Sequence, residues 1–134
     1  MLRLALALLV SAGAALAQAQ PYPSKPIRLI VPYSPGAGTD AISRILAQKL
    51  SDSLGQQMIV DNRPGAGGTI GTEIVAHSAP DGYTLLFAPT SHAINPNLYT
   101  KLPFDTQKDF VPISVVASLP VVLAVEASVP ARIW

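Results

Sequence analysis

Ile27-Arg28-Leu29-Ile30-Val31-Pro32-Tyr33-Ser34-Pro35-Gly36-Ala37-Gly38-Thr39-Asp40 is the stretch whose reading decides the fold. A short, mostly β-branched run stops at a proline, and a glycine-rich turn then opens a segment of helical spacing. Apolar residues at Ile42, Ile45, Leu46, Leu50 and Leu54 fall at i, i+3 and i+4 intervals, which predicts a helix from Thr39 or Asp40 to Leu54. Gly55 is placed to end it as a C′ glycine. The same grammar then repeats. Met58-Ile59-Val60 predicts a short second strand, and Arg63-Pro64-Gly65-Ala66-Gly67-Gly68-Thr69 is a second glycine turn. Thr69 to His77 predicts a second helix with Ile70, Ile74 and Val75 inward. Pro80-Asp81-Gly82 is a turn signature, and Thr84 to Ala88 predicts a third strand. The expected class is α/β, a βαβαβ unit with parallel strands and right-handed crossovers. Thr90 to Asp105 reads as loop or broken helix. Val111 to Ala117 and Pro120 to Val125 read as apolar segments suited to buried strands or to a crossing between lobes.

Each glycine turn joins a strand to a helix, where backbone N–H groups are left unpaired at the positive end of the helix dipole. Two such turns one βα unit apart predict one anion site served by two helix N-termini. The candidate residues are Gly36, Ala37, Gly38, Thr39 and Asp40 on the first turn, and Gly65, Ala66, Gly67 and Gly68 on the second. Thr90 and Ser91 follow strand three and reach the same carboxyl edge of a parallel sheet, where ligands of open α/β sheets bind. Asp40 reads first as a first-turn acid that stabilises its helix, and second as a selector for a ligand's ammonium or hydroxyl. Arg63 is expected to fix its loop through a salt bridge. His92 reads as a loop histidine, His77 as a structural helix end, and Tyr83 as a packed turn aromatic. The alternative anion is a dinucleotide pyrophosphate. Gly36-Ala37-Gly38-Thr39-Asp40-Ala41 satisfies the G-x-G-x-x-A variant of that fingerprint, and Asp61 lies 20 residues beyond Ala41, where a ribose-binding acid belongs. Against it, Ser34-Pro35 separates the strand from the first glycine, and the second turn has no role in one such fingerprint.

Composition narrows the rest. Residues 1–19 read as a signal peptide: Arg3 is the only charge, Leu4 to Ala17 is apolar or small, and Ala15-Leu16-Ala17 or Ala17-Gln18-Ala19 offers a cleavage site. The apolar run is roughly 14 residues, short of the ~20 that span a bilayer. The chain has no cysteine, which removes disulfides, thiolate metal sites and a thiol nucleophile. Nine basic side chains, Arg3 among them, stand against eight acidic ones, so loss of the leader leaves the chain balanced, without the basic footprint of a nucleic-acid binder. The two histidines lie too far apart for a local metal motif. Ser34, Ser91 and His92 form no nucleophile elbow. No metal, cofactor or catalytic set is expected.

Three ordered motifs carry a resemblance. Ile30-Val31-Pro32-Tyr33-Ser34-Pro35-Gly36-Ala37-Gly38-Thr39-Asp40 resembles the VPF-x-PGG-x-x-D opening of the Bug family, with Tyr33 where Phe is usual and Ala37 where a second glycine often stands. Asp61 to Gly68 resembles its NR-x-GAGG turn, and Pro80-Asp81-Gly82-Tyr83-Thr84-Leu85-Leu86 its PDGYTLL element. Bug proteins are the substrate-binding components of tripartite tricarboxylate transporters. The resemblance implies a type II-like periplasmic binding protein that closes on a small carboxylate and passes it to membrane permease subunits. The ligand classes are di- or tricarboxylates, amino acids and aromatic acids. It adds Tyr33 to the candidate ligand contacts, and implies that backbone groups and waters at the two turns hold a carboxylate. It also implies that residues 20–110 form the N-terminal part of the first lobe and that 111–134 begin a crossing toward a second lobe, the chain being truncated there.

Overall fold

A computed structural model of the protein describes residues 21–118, together with Ala124 and Glu126. The expected leader and its cleavage sites, and all of Pro120–Val125 but Ala124, lie outside the described residues.

β1 (Ile27–Val31) is the central strand of a three-stranded parallel sheet of order β2-β1-β3, with β2 at Met58–Asn62 and β3 at Thr84–Leu86. Ile27 pairs with Met58 and Val31 with Asn62, while Arg28 and Ile30 pair with Thr84 and Leu86. A strand covered on both faces reads as a continuous apolar run. Accordingly Ile27, Leu29, Ile30 and Val31 are all at most 3% exposed. The exception, Arg28, reaches across to the carboxylate of Asp61 on β2.

The chain moves from β1 to β2 on one flank, then back across β1 to β3 on the other. Right-handed crossovers therefore place the two connecting helices on opposite faces of the sheet. α1 (Gly38–Leu54) packs on β1 and β2, and α2 (Thr69–Ala76) on β1 and β3. The strand and helix placements agree with the periodicity, and Gly55 ends α1 in the left-handed region at φ 67°, its N–H donating to Ser51 O at 3.0 Å. His77 caps α2, and Nδ1 of its ring lies 3.0 Å from Glu73 O.

Both helix faces are rotated from the expected ones. On α1 the buried side is Asp40, Ser43 and Ala47, whereas Ile45 and Leu54 are exposed and Leu50 is only half-buried against the core. On α2 it is Thr69, Gly71 and Thr72, with Ile70 exposed. Small side chains let both helices approach the sheet closely, so the close stripe is the small one and the large apolar residues flank it.

Of the two readings of Thr90 to Asp105, loop or broken helix, the helix holds over the first part, and of the two readings of Val111 to Ala117 the buried strand is not found. Thr90–Leu98 is a helix, α3, that tolerates Pro96 near its end. Residues 111–118 form no strand, and Val111, Ile113 and Val115 are 79–88% exposed. A strand exists only when paired, and no described strand lies beside this segment.

Candidate functional site

All three strands deliver their following loops to one edge. Residues 32–37 follow β1, 63–68 follow β2 and 87–89 follow β3, and each loop runs into a helix. The N-caps are Ala37 for α1, Gly68 for α2 and Pro89 for α3, and none of the three helices receives a side-chain cap. α1 and α3 therefore present first-turn N–H groups at their positive ends, whereas at α2 the Thr69 N–H is turned back onto Ala66 O by the preceding 3-10 turn. The sequence pointed to the termini of α1 and α2; the third was missed because α3 opens on the polar Thr90-Ser91-His92.

The loops are in contact. Tyr33 Oη and Ser91 Oγ lie 2.8 Å apart, joining the β1 loop to the first turn of α3 at the point where the chain's path across the sheet reverses. Gly68, at φ 93°, is buried beside both: a Cβ there would sit 3.5 Å from Pro32 and 3.6 Å from Ser91 Oγ. Gly36, Ala37, Gly38, Gly65, Ala66, Gly67 and Thr90 are exposed, and Tyr33, Thr39 and Ser91 are half-buried.

Side chains outside the candidate set hold the second turn in shape. A short 3-10 turn spans Ala66–Gly68, with Gly67 at φ 64° and Ala66 itself in the left-handed region at φ 47°. Asn95 Nδ2 donates to Gly67 O at 3.1 Å, and Tyr99 Oη and Thr69 Oγ1 donate to Ala66 O at 3.1 and 2.9 Å. Thus α3 and the residue that ends it tie the turn's carbonyls. No sequence signal marks Asn95 or Tyr99, because their partners lie about 30 residues away.

Asp40 is turned inward. Its carboxylate accepts Gly36 N–H at 2.9 Å, Arg44 Nε at 3.0 Å and Asn62 Nδ2 at 3.0 Å. Hydrogen bonding from Arg44, then from Gly36 and Asn62, lowers its pKa to about 2. Arg63 does fix its loop, pairing with Asp61 at 2.9 Å. Partial burial pushes Asp61 up, but the guanidinium groups of Arg28 and Arg63 outweigh it and hold the carboxylate below its usual range.

That engagement removes the dinucleotide alternative. The acid meant for a ribose is enclosed by two arginines. In the fingerprint the third small residue allows close helix–strand packing, yet Ala41, which stands there, is exposed.

His92 is a packing group. Its ring lies edge-on to Phe110 at 4.9 Å and stacks at 6.3 Å on Phe104, and Nδ1 is buried without a partner among the described residues. Burial pushes its pKa below 6.5, with the backbone of Thr106 pulling weakly the other way. A base depressed in the folded state stabilises fully above its unfolded pKa, and that contribution declines as pH falls from there through the folded value. The melting temperature is therefore expected to fall as pH drops below about 6.5, and His92→Phe should flatten that decline. An unchanged pH profile in the variant would reject this account.

Among the described residues no three His, Asp or Glu side chains gather as a metal site, and no helix is long and apolar enough to cross a membrane. A surface groove runs between α1 and β2, past Ala47, Ser51 and Met58, away from the glycine turns.

Fold and site together define an α/β protein whose parallel sheet presents an anion-suited edge built from backbone. Residues 42–133 match the family described as the tripartite tricarboxylate transporter family receptor, and the chain belongs to that family. It is 48% identical over 112 residues to BugT of Bordetella pertussis, a match covering 82% of this chain and 34% of that protein. Among solved structures it is similar to MatC of Rhodopseudomonas palustris with bound malate, at 33% identity and a TM-score of 0.62, over 71% of this chain and 33% of that one. A second R. palustris protein, solved with adipate, is 36% identical with a TM-score of 0.61, over 64% of this chain and 29% of that one. The chain spans about a third of the length of these relatives.

Proposed function

We propose that this chain supplies the carboxylate-holding part of the first lobe of a periplasmic solute-binding protein, serving a tripartite tricarboxylate-type transporter. In this reading residues 1–19 direct export, residues 20–110 form the lobe's N-terminal part, and 111–134 begin the crossing toward a second lobe. Membrane permease subunits receive the ligand. The observation that carries the reading is that three helices, none capped by a side chain, all begin at one edge of the sheet, with Tyr33 of the first loop hydrogen-bonded to Ser91 at the start of α3. The arginines nearest the edge are committed elsewhere, Arg28 and Arg63 to Asp61 and Arg44 to Asp40 and Asn62. A ligand carboxylate would then be met by N–H groups of Gly38, Thr39 and Ser91 and by the hydroxyls of Tyr33, Thr90 and Ser91. At Gly36 and Gly38 no side chain comes within 4 Å of where a Cβ would stand, which leaves the backbone of the first turn open to approach. The malate and adipate of the two relatives favour a small dicarboxylate.

Charge-assisted hydrogen bonds contribute about 1.5–3 kcal/mol each, before the costs of association. Two or three on one lobe are consistent with a Kd in the millimolar range, about 4 kcal/mol. Titration of the isotope-labelled chain with malate, adipate and citrate, followed by amide NMR, should move the resonances of residues 36–39, 65–69 and 90–91 along one saturable curve. NADH should leave them in place. Carboxylate shifts that are absent, or scattered over the α1–β2 groove, would reject the proposal.

A further inference from the structure

The two glycine turns arise on different strands, and the side chain of Asn62 links the first turn to the strand that launches the second. Asn62 is the last residue of β2, immediately before Arg63 and the second turn. Its amide nitrogen donates to Tyr33 O at 3.1 Å and to Asp40 Oδ1 at 3.0 Å, and its amide oxygen accepts from Arg44 Nη2 at 3.0 Å. Both N–H bonds and the carbonyl are thus used, on three residues drawn from the β1 loop and from α1. Asp40, held by Asn62 and Arg44, in turn accepts Gly36 N–H. The chain of bonds runs Asn62–Asp40–Gly36, from the end of β2 into the middle of the first turn.

We propose that Asn62 is a positioning residue that sets the first glycine turn relative to the second, preorganising the anion edge before ligand arrives. This rests on the carboxylate reading above. The geometry demands a side chain with two donors and one acceptor at this length, which among side chains of this size only asparagine provides. Asp is isosteric but donates nothing when ionised, and it would set a second carboxylate against Asp40 and against Tyr33 O.

Asn62→Asp is therefore the informative variant, read first without ligand. In wild-type protein the Gly36 amide should exchange slowly with solvent, and in Asn62→Asp it should exchange roughly tenfold faster or more, while amides of β1 keep their protection. The effect should diminish as pH falls and the facing carboxyls come to share a proton, which restores a donor. The charged groups around position 62 are Asp40 and Arg44, with Asp61, Arg28 and Arg63 paired among themselves. Asp40→Asn combined with Asn62→Asp removes the facing charges and should recover part of the protection. A merely structural role would lower the protection of β1 and Gly36 alike and show neither the acid recovery nor the rescue. Malate titration then separates the two ideas. Malate binding by wild-type that weakens about fivefold or more in Asn62→Asp supports the assignment. Equal malate affinity in both, or unchanged Gly36 exchange, overturns it. Faster Gly36 exchange in Asn62→Asp, with a wild-type chain that ignores malate, would overturn the carboxylate reading and leave Asn62 as the setter of the turn.

Discussion

Gly71→Ala is expected to lower the melting temperature by roughly 5–10 °C, at about 4–8 °C per kcal/mol for a unit of this size. An added Cβ would lie 2.8 Å from Arg63 O, 2.8 Å from Pro32 Cβ and 2.9 Å from Pro32 Cα. Two of these are backbone atoms and the third belongs to a proline ring, so none can swing aside. Alanine gains about 1 kcal/mol of helix propensity over glycine, while overpacking costs about 1–3 kcal/mol and more where neighbours are rigid. The clash wins. α2 would be displaced from Pro32, and Gly68 at its N-terminus from Ser91, so the carboxylate-induced shifts at residues 65–69 should disappear as well. Gly38→Ala is the matched control: nothing lies within 4 Å of its Cβ, and its melting temperature should match wild type. Thermal denaturation by circular dichroism decides the matter, and a Gly71→Ala protein as stable as wild type would show that the helix can retreat without cost.

Ile30→Ala is expected to remove about 2–5 kcal/mol, the cost of truncating a large aliphatic side chain in a packed core. Ile30 is fully buried on the central strand, on the face opposite Ile27 and Leu29, which pack with Ala47 and Met58 beneath α1. Against the 5–15 kcal/mol stability of an ordinary domain this is a large fraction. Ile59 is paired with Arg28 on the edge strand and is 45% exposed, so Ile59→Ala should cost far less, within about 1 kcal/mol. Urea midpoints of the two variants should differ accordingly. Equal losses would mean that β2 is covered in solution by something packed against its outer face.

The pattern of what was legible follows the range of the interactions. β1, the span of α1, the Gly55 cap and the two glycine turns were readable because each is written in contiguous residues: a β-branched run stopped by Pro32, a period of 3.6, a glycine where φ must be positive. The salt bridge of Arg63 was readable because its partner, Asp61, lies two residues away.

Other features were set only when the elements packed. The buried stripes of α1 and α2 turned out to be Asp40-Ser43-Ala47 and Thr69-Gly71-Thr72, because the distance between helix and sheet is governed by the smallest side chains facing it, and hydrophobicity alone does not rank those. The helical state of Thr90–Leu98 is supported by Asn95 and Tyr99 bonding to Gly67 and Ala66, contacts that a local reading with Pro96 in view argues against. Val111–Ala117 has the composition of a strand, yet composition supplies no partner for its backbone. The sequence by itself therefore determined the βαβαβ order and the placing of glycine turns at one sheet edge, since local conformational preferences encode both. Which groups meet at that edge, from the third helix N-terminus to the Tyr33–Ser91 contact and the Asn62–Asp40–Gly36 chain, was decided by tertiary packing, which brings together residues 22 to 58 positions apart.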